Sequence, residues 1–373
     1  MQPFTLLIKP TGSDCNLDCK YCFYKHRSPD LGQGRQRMTE EVLEKLVQDY
    51  MELRFPVAGF AWQGGEPTLM GLDFYGRVVE LQKKYGVPGQ QVSNSLQTNG
   101  ILLSENWCRF LHEYKFLVGI SIDGPKELHD YYRCDHSGAG TFAKVIGAIE
   151  RCKEYGVEFN TLTLLNDKNV RHADLLFDFF VALGVRYLQF IPCVEFDPAA
   201  GKAADFSITP QQYGDFLCRM FDRWYEYGPQ NLSIRDFDSF LACCAGYRHT
   251  ICTFDRKCSQ YIVIEHSGDA FCCDFFVEPK WRLGNILETP IEDLAAAQTK
   301  RVFARAKCNL CTKCLVCRHL AVCRGGCLKH RAVLDKTDFA CESYFCPGYR
   351  QFLEHAMPRL MQIGARISER KQL

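Results

Sequence analysis

The chain has 373 residues, with 45 Lys and Arg balanced by 44 Asp and Glu. This balance gives no electrostatic argument for nucleic acid or an anionic membrane as a partner, and no apolar stretch approaches the roughly 20 residues of a membrane span. The first residues lack the basic and apolar regions of a secretory signal, so we expect a cytoplasmic protein. In that reducing compartment the 22 cysteines favour metal ligation over disulfide bonds.

Strand-like runs and amphipathic helical stretches alternate through the first two hundred residues, as in βα units with a parallel sheet. The segment 39–54 places six apolar side chains on one helical face: Val42, Leu43, Leu46, Val47, Tyr50 and Met51. The predicted strands are 6–9, 59–62, 91–96, 116–122, 158–165 and 187–191. About six βα units are fewer than the eight of a closed barrel, so we predict an α/β fold with an open or partial barrel. Its reaction site is expected at the carboxyl ends of the strands.

The sequence changes character after about residue 232. Regular alternation stops, and fourteen of the 22 cysteines lie between Cys243 and Cys346, both included. A segment this rich in cysteine and poor in long apolar runs is typical of a fold organised around metal centres. We therefore predict two domains, residues 1–232 and 233–373, and a C-terminal helix near 349–366.

A CxxxCxxC loop formed by Cys15, Cys19 and Cys22 follows the first predicted strand. Three thiolates this close can share one 4Fe–4S cluster and leave one iron without a protein ligand. An open iron can bind S-adenosylmethionine and transfer an electron to it, which yields a radical able to remove hydrogen from an unactivated carbon. On spacing alone, a zinc site or a chance grouping is the alternative.

The context of this loop resembles the radical SAM superfamily. An aromatic residue, Tyr21, precedes the third cysteine, and the second strand is followed by Gly64, Gly65 and Glu66. Glycine lets the backbone approach a ligand closely, and a carboxylate suits an ammonium group. The resemblance implies a partial (β/α)6 barrel and a set of contacts to S-adenosylmethionine: Tyr21, Gly64, Gly65, Glu66, Ser121, Arg133 and Val194. Core packing is an equally good interpretation of Val194.

Two sets of cysteines in the second predicted domain supply eight thiols, enough for two fully ligated 4Fe–4S clusters. They resemble the SPASM domain of peptide-modifying radical SAM enzymes, which implies one auxiliary cluster on Cys252, Cys258, Cys273 and Cys327. The same resemblance implies a second auxiliary cluster, and so three 4Fe–4S clusters in all, on Cys314, Cys317, Cys323 and Cys346. Structural zinc is the alternative, and the further pair Cys308 and Cys311 has no place in this assignment.

Longer segments resemble one subfamily, the anaerobic sulfatase-maturating enzymes: 7–10, 22–24, 63–69, 94–100, 273–275 and 281–286. Members of that family oxidise a cysteine or serine of a sulfatase to Cα-formylglycine, before the sulfatase is folded or exported. The resemblance implies two partners. One is an unfolded or nascent sulfatase with a Cys/Ser-x-Pro/Ala-x-Arg motif, and the other is a low-potential electron donor of the flavodoxin or ferredoxin type.

The chemistry of that oxidation gives Asp274 a role. After a hydrogen atom leaves Cβ of a substrate cysteine, loss of one electron and the thiol proton gives a thioaldehyde, which water converts to the aldehyde and sulfide. Such a step needs a base beside an electron acceptor, and Asp274 directly follows the proposed cluster ligand Cys273. The alternative is that Asp274 only orients backbone beside the cluster. The resemblance also implies that Tyr24 and Gln63 contact the substrate.

Two other classes of function stay open at this point. A SPASM enzyme that forms thioether bonds or epimers in a ribosomal peptide would share the cysteines, but it gives no reason for Asp274 in its 273–275 context. A non-catalytic electron carrier or zinc scaffold would not need the open iron that Cys15, Cys19 and Cys22 create. The sequence does not distinguish a cysteine-type from a serine-type substrate.

Overall fold

The structure, a computed structural model, describes residues 2–24, 35–197, 202–331 and 339–369. Its strands in these ranges are β1 (Thr5–Lys9), β2 (Val57–Trp62), β3 (Gln91–Thr98), β4 (Leu117–Ser121), β5 (Phe159–Leu165), β6 (Tyr187–Pro192), β7 (Phe196–Asp197), β8 (Lys202–Ala203), β9 (Ser233–Ile234), β10 (Tyr261–Glu265), β11 (Asp269–Phe271) and β12 (Arg282–Asn285).

Its helices in the same ranges are α1 (Glu40–Glu52), α2 (Leu72–Tyr85), α3 (Glu105–Glu113), α4 (Lys126–Tyr132), α5 (Phe142–Glu154), α6 (Ala173–Ala182), α7 (Pro210–Tyr227), α8 (Arg235–Cys244), α9 (Ile291–Ala296), α10 (Gln298–Ala306), α11 (Thr312–Leu315), α12 (Leu320–Cys323), α13 (Leu328–Arg331) and α14 (Cys346–Glu369). Short 3-10 turns span Pro67–Met70, Cys252–Phe254, Asp274–Phe276 and Pro279–Trp281. None of the helices in the described residues is long and apolar enough to cross a membrane.

The predicted alternation of strands and helices is confirmed, because all six predicted strands are present as β1 to β6 and a helix follows each of β1 to β5 before the next strand. The strands β7 and β8 lie between β6 and α7. Helix α1 begins after Thr39, whose hydroxyl accepts a hydrogen bond from the Val42 N–H at 3.3 Å and so caps the helix. The six side chains predicted for its core face are all buried. The predicted C-terminal helix is also present, a few residues longer at each end, as α14.

The first of two compact units comprises Met1–Ser121, His129–Phe159 and Ser259–Ala304. Its strands lie in the order β12-β11-β10-β1-β2-β3-β4, parallel from β10 to β4 and antiparallel at β11 and β12. The loops after β1 to β4 therefore leave the sheet at one edge, where parallel sheets place ligand sites. Sequence analysis missed β10, because the surrounding cysteines suggested irregular structure, although its apolar centre is typical of a buried strand.

The second compact unit comprises Ile122–Leu128, Asn160–Cys258 and Arg305–Leu373. Within it β5, β6 and β9 pair in parallel, and β7 and β8 form an antiparallel pair. Helix α14 packs along α7 and α8, where the rings of Phe237 and Phe352 stack at 5.3 Å. Because the two units are interleaved along the chain, they do not test the boundary predicted between residues 232 and 233, which stays a prediction.

Strand β1 ends in a buried cation. Lys9 and its parallel neighbour Glu265, the last residue of β10, are each only 1% exposed and form an ion pair. Burial alone would lower the pKa of Lys9, but the charges of Asp274 and Glu265 outweigh it and raise that pKa, so Lys9 is cationic. Removing one partner of such a pair leaves an uncompensated buried charge, so the pair holds β1 beside β10.

Lys9→Met is expected to lower the free energy of unfolding by about 3–5 kcal/mol, because it leaves the Glu265 carboxylate buried without its cation. Glu265→Gln is expected to cost less, since Lys9 still has Asp274 at 3.1 Å. The double variant should be more stable than Lys9→Met alone, which urea denaturation in a double-mutant cycle measures. Strict additivity of the two losses would mean that the pair does not couple the strands.

Candidate active site

The CxxxCxxC loop leaves β1 through a series of backbone turns. Cys19 is buried, whereas Cys15 and Cys22 are half-buried, and the Cys22 N–H donates to the Cys19 carbonyl at 3.2 Å. The Cys15 sulfur accepts hydrogen bonds from the Leu17 N–H at 3.4 Å and from Asn99 Nδ2 at 3.8 Å. Burial, with the nearby Glu66 charge, raises the pKa of Cys15 to about 12. Its thiol is therefore protonated without metal, and metal binding must release that proton.

The glycines after β2 allow this loop to pack against the sheet edge. The N–H of Gly65 donates to the carbonyl of Gly12 at 2.8 Å, and the N–H of Glu66 donates to the carbonyl of Asp14 at 2.9 Å. A Cβ on Gly65 would lie 2.0 Å from the Asp14 oxygen, and one on Gly64, where φ is +115°, would lie 2.7 Å from the Gly12 oxygen. Only glycine fits these positions, so backbone lies directly against the start of the cysteine loop.

The Glu66 carboxylate is completely buried and accepts four hydrogen bonds from the protein. Thr68 donates through its N–H at 3.0 Å and its hydroxyl at 2.6 Å, Thr98 donates through its hydroxyl at 2.8 Å, and Asn99 donates through its N–H at 2.7 Å. Burial raises the pKa of Glu66, and these bonds oppose that rise. Glu66 thus ties the end of β2 to the end of β3, a role that the motif alone did not indicate.

Arg133 and Tyr21, both predicted cofactor contacts, lie together in the first unit. The Arg133 guanidinium is 5.5 Å from the centre of the Tyr21 ring. The cysteine loop reaches the same region, because the Asp18 N–H donates to the Cys134 carbonyl at 2.8 Å. Ser121, at the end of β4, accepts a hydrogen bond from Gln97 Nε2 at 3.1 Å. Val194 belongs to the second unit, where it is 1% exposed.

Three side chains converge on Asp274, which lies in the 3-10 turn directly after Cys273. Tyr24 donates its hydroxyl to Oδ2 at 2.9 Å, and Gln63 Nε2 donates to the same oxygen at 3.2 Å. Lys9 Nζ lies 3.1 Å from Oδ1. The three predicted residues Tyr24, Gln63 and Asp274 are thus brought together by the fold of the first unit.

Lys9 and Glu265 complete this group, and sequence analysis missed both. A single lysine at the end of an apolar strand gave no sign of its partner, because the pairing of β1 with β10 cannot be seen in the sequence. Burial and the Asp274 charge raise the pKa of Tyr24 well above its usual value, so the phenol is a neutral donor. Burial also raises the pKa of Glu265, and Lys9 partly offsets that rise.

In the second unit, a cavity of about 540 Å³ is lined by four of the predicted cluster cysteines: Cys314, Cys317, Cys323 and Cys346. Four cysteines that line one cavity match the number of protein ligands that a 4Fe–4S cluster requires. Cys308 and Cys311 are among the described residues and do not line this cavity. Within the described ranges, no three His, Cys, Asp or Glu side chains are close enough to hold a single metal ion.

The four cysteines predicted for the first auxiliary cluster are divided between the units. Cys273 belongs to the first unit, and Cys252, Cys258 and Cys327 belong to the second. Burial raises the pKa of Cys252, and Cys327 adds to that rise. Lys307, 1% exposed, donates through Nζ to the carbonyls of Cys252 and, at 2.8 Å, Thr253. This ammonium holds the backbone at the first of the four cysteines.

Two family models match the chain. Residues 10–180 match the radical SAM superfamily, and residues 252–318 match the SPASM iron-sulfur cluster-binding domain. These matches confirm the predicted fold class, a radical SAM fold with a parallel sheet and a SPASM domain. They also confirm S-adenosyl-L-methionine and multiple 4Fe–4S clusters as the predicted cofactors.

Relatives that match over nearly the whole chain have a more specific function than the two family models describe. The chain is 38% identical to a cysteine-type anaerobic sulfatase-maturating enzyme of Clostridium perfringens, over 98% of this chain and 100% of the relative. It is 36% identical to a serine-type enzyme of the same name from Bacteroides thetaiotaomicron, over 96% of this chain and 90% of the relative.

Solved structures agree with these relatives. Native anSMEcpe with bound AdoMet and Cp18Cys peptide has a TM-score of 0.91 at 38% identity, covering 98% of this chain and 100% of that chain. Streptococcus suis SuiB bound to S-adenosylmethionine has a TM-score of 0.64 at 17% identity, covering 91% and 76%, which shows the fold alone. The chain therefore belongs to the family of anaerobic sulfatase-maturating enzymes.

Proposed function

We propose that this protein oxidises a cysteine or serine of a sulfatase polypeptide to Cα-formylglycine. The convergence of Lys9, Tyr24 and Gln63 on Asp274, next to a cluster cysteine, carries this proposal. A base held at that place is what the second half of the oxidation requires. A maturase of ribosomal peptides that forms thioether bonds or epimers gives no comparable reason for the group.

Cys15, Cys19 and Cys22 would hold the cluster that leaves one iron open. When bound there, it supplies the electron that cleaves S-adenosyl-L-methionine into a radical able to remove hydrogen from Cβ of the substrate residue. The close backbone approach at Gly64 and Gly65 supports their assignment as part of the cofactor site. The other proposed cofactor contacts are Tyr21, Glu66, Ser121, Arg133 and Val194.

The eight remaining cluster cysteines would hold two auxiliary clusters. The cavity in the second unit supports the set of Cys314, Cys317, Cys323 and Cys346. The other set is Cys252, Cys258, Cys273 and Cys327, proposed from the resemblance of the chain to the SPASM domain. Within that set, Cys273 precedes the residue that we assign as the base, so proton and electron would leave the substrate at neighbouring places.

Asp274 would take the thiol proton of the substrate after hydrogen abstraction. Tyr24 and Gln63 both donate to Oδ2 and so fix the direction of the carboxylate. Lys9 places a positive charge against Oδ1 and is itself balanced by Glu265. Of the two carboxylates that contact Lys9, Asp274 is the one that lies directly after the proposed cluster ligand Cys273.

The substrate would be an unfolded or nascent sulfatase that carries a Cys/Ser-x-Pro/Ala-x-Arg motif, encountered in the cytoplasm. A flavodoxin- or ferredoxin-type protein would supply the electron for cofactor cleavage. The cysteine-type and serine-type relatives are 38% and 36% identical to this chain, so identity favours neither substrate.

Mass spectrometry of a short Cys-x-Pro-x-Arg peptide tests the function. After anaerobic reaction with the reduced enzyme and S-adenosyl-L-methionine, the cysteine is expected to become an aldehyde, with release of sulfide. The matched Ser-x-Pro-x-Arg peptide shows whether serine is also oxidised. A thioether or epimerised product, or an unchanged pair of peptides beside active cofactor cleavage, would contradict the proposal.

Anaerobically reconstituted protein is expected to contain about twelve irons, in three four-iron clusters. Replacing Cys15, Cys19 and Cys22 by Ala should reduce this to about eight and abolish cleavage of S-adenosyl-L-methionine. Iron and zinc analysis by plasma mass spectrometry measures both quantities. If the parent protein contained only about four irons, together with zinc, the two auxiliary clusters would be refuted.

Asp274→Asn should lower the rate of aldehyde formation by about 10²–10⁴-fold, the usual effect of losing a positioned base. Iron content and cofactor cleavage should persist, and deuterium at the substrate Cβ should still reach 5′-deoxyadenosine. Asp269→Asn is the matched control, because Asp269 pairs instead with the Arg282 guanidinium at 2.6 Å. If Asp274→Asn forms aldehyde at the normal rate, Asp274 has only a structural role. If the variant loses iron, Asp274 instead stabilises the cluster.

A further inference from the structure

Cys308 and Cys311 are left over when the cluster cysteines are assigned, although they extend the spacing of Cys314 and Cys317 in the same register. Four thiols already line the cavity of the second auxiliary cluster, and four complete the ligand set of a 4Fe–4S centre. The two further thiols therefore need a different explanation. The two thiols differ in the hydrogen bonds that they donate.

Cys311 is bonded to Cys314 twice. The Cys314 N–H donates to the Cys311 carbonyl at 2.9 Å, in the turn that begins α11. The Cys311 thiol in turn lies 3.6 Å from the Cys314 sulfur and donates toward it. The backbone bond thus holds the two residues one turn apart, at a separation that allows the contact between their side chains.

Cys308 makes a contact of another kind. Its side chain is exposed, and its thiol donates to the backbone carbonyl of Arg256 at 3.3 Å. A bond to a carbonyl oxygen places no proton on a ligand sulfur. The chain therefore contains a matched pair of thiols of similar sequence context, of which only Cys311 donates to a proposed cluster ligand.

We propose that Cys311 is a positioning residue that hydrogen-bonds the Cys314 ligand sulfur and raises the reduction potential of the second auxiliary cluster. A hydrogen bond to a thiolate ligand withdraws negative charge from it and so favours the reduced cluster. A higher potential makes the second cluster a better acceptor for an electron that the first auxiliary cluster has taken from the substrate. This inference rests on the ligand set in the proposed function, with Cys314 as a ligand and Cys311 as none.

An EPR-monitored redox titration of the reconstituted enzyme tests it. Cys311→Ala should shift the midpoint of one auxiliary cluster to more negative potential and leave the other midpoint unchanged, with iron content as in the parent protein. Cys311→Ser keeps a hydroxyl donor and should restore part of the shift. Cys308→Ala, the matched control, should leave every midpoint in place.

Three results of this titration would overturn the inference. Loss of about four irons in Cys311→Ala would show that Cys311 is a cluster ligand. An unchanged midpoint in that variant would show that Cys311 has no effect on the potential. Either result overturns the inference. An equal shift in Cys308→Ala would overturn it too, since the effect would then come from general disturbance of the loop. Failure of the proposed function looks different, because the peptide would then stay unoxidised while these midpoints behave as described. Failure of the proposed ligand set would show as a parent protein that lacks the second auxiliary cluster.

Discussion

The contacts of the Lys9 ammonium with Glu265 and Asp274 are the interaction on which the rest of the proposed site depends. It closes the end of β1, binds Glu265 across the sheet and lies against the Asp274 carboxylate. The same cation therefore fixes the neighbour of β1 and contacts the carboxylate that would receive the substrate proton. A buried cation is costly unless it is paired, so neither carboxylate can be removed without changing the environment of the other.

The edge of the sheet at the ends of β2 and β3 is stabilised in a comparable way by buried hydrogen bonds. The Glu66 carboxylate accepts hydrogen bonds from Thr68, Thr98 and Asn99, and Gly65 brings the end of β2 against the carbonyl of Asp14. The resemblance implies that Gly65 and Glu66 contact the cofactor, and the structure adds that both also bind other residues of the chain. A site whose supporting residues are already bonded loses little conformational freedom when the ligand binds.

How much could be predicted from the sequence depended on how local the signal was. The cysteine spacings, the βα alternation and the glycines after β2 are local, and each was recognised. The partner of Lys9 and the donors from Thr98 and Asn99 to Glu66 require knowledge of which strands are neighbours, and a single sequence does not contain it. The register of Cys308 to Cys317 was ambiguous in the sequence, and the lining of one cavity now favours the later cysteines.

The pairing of β1 with β10 also constrains how the protein is made. Thr5 pairs with Tyr261, so one edge of β1 stays open until most of the chain has left the ribosome. At about 5–20 residues per second, that interval is on the order of 10–50 s. During it the cysteine loop is already synthesised, while Glu265 and Asp274 are not, and an open strand edge invites wrong pairing. The group of Lys9, Glu265 and Asp274 is thus assembled late in biosynthesis, because it depends on a contact of high sequence separation that forms slowly.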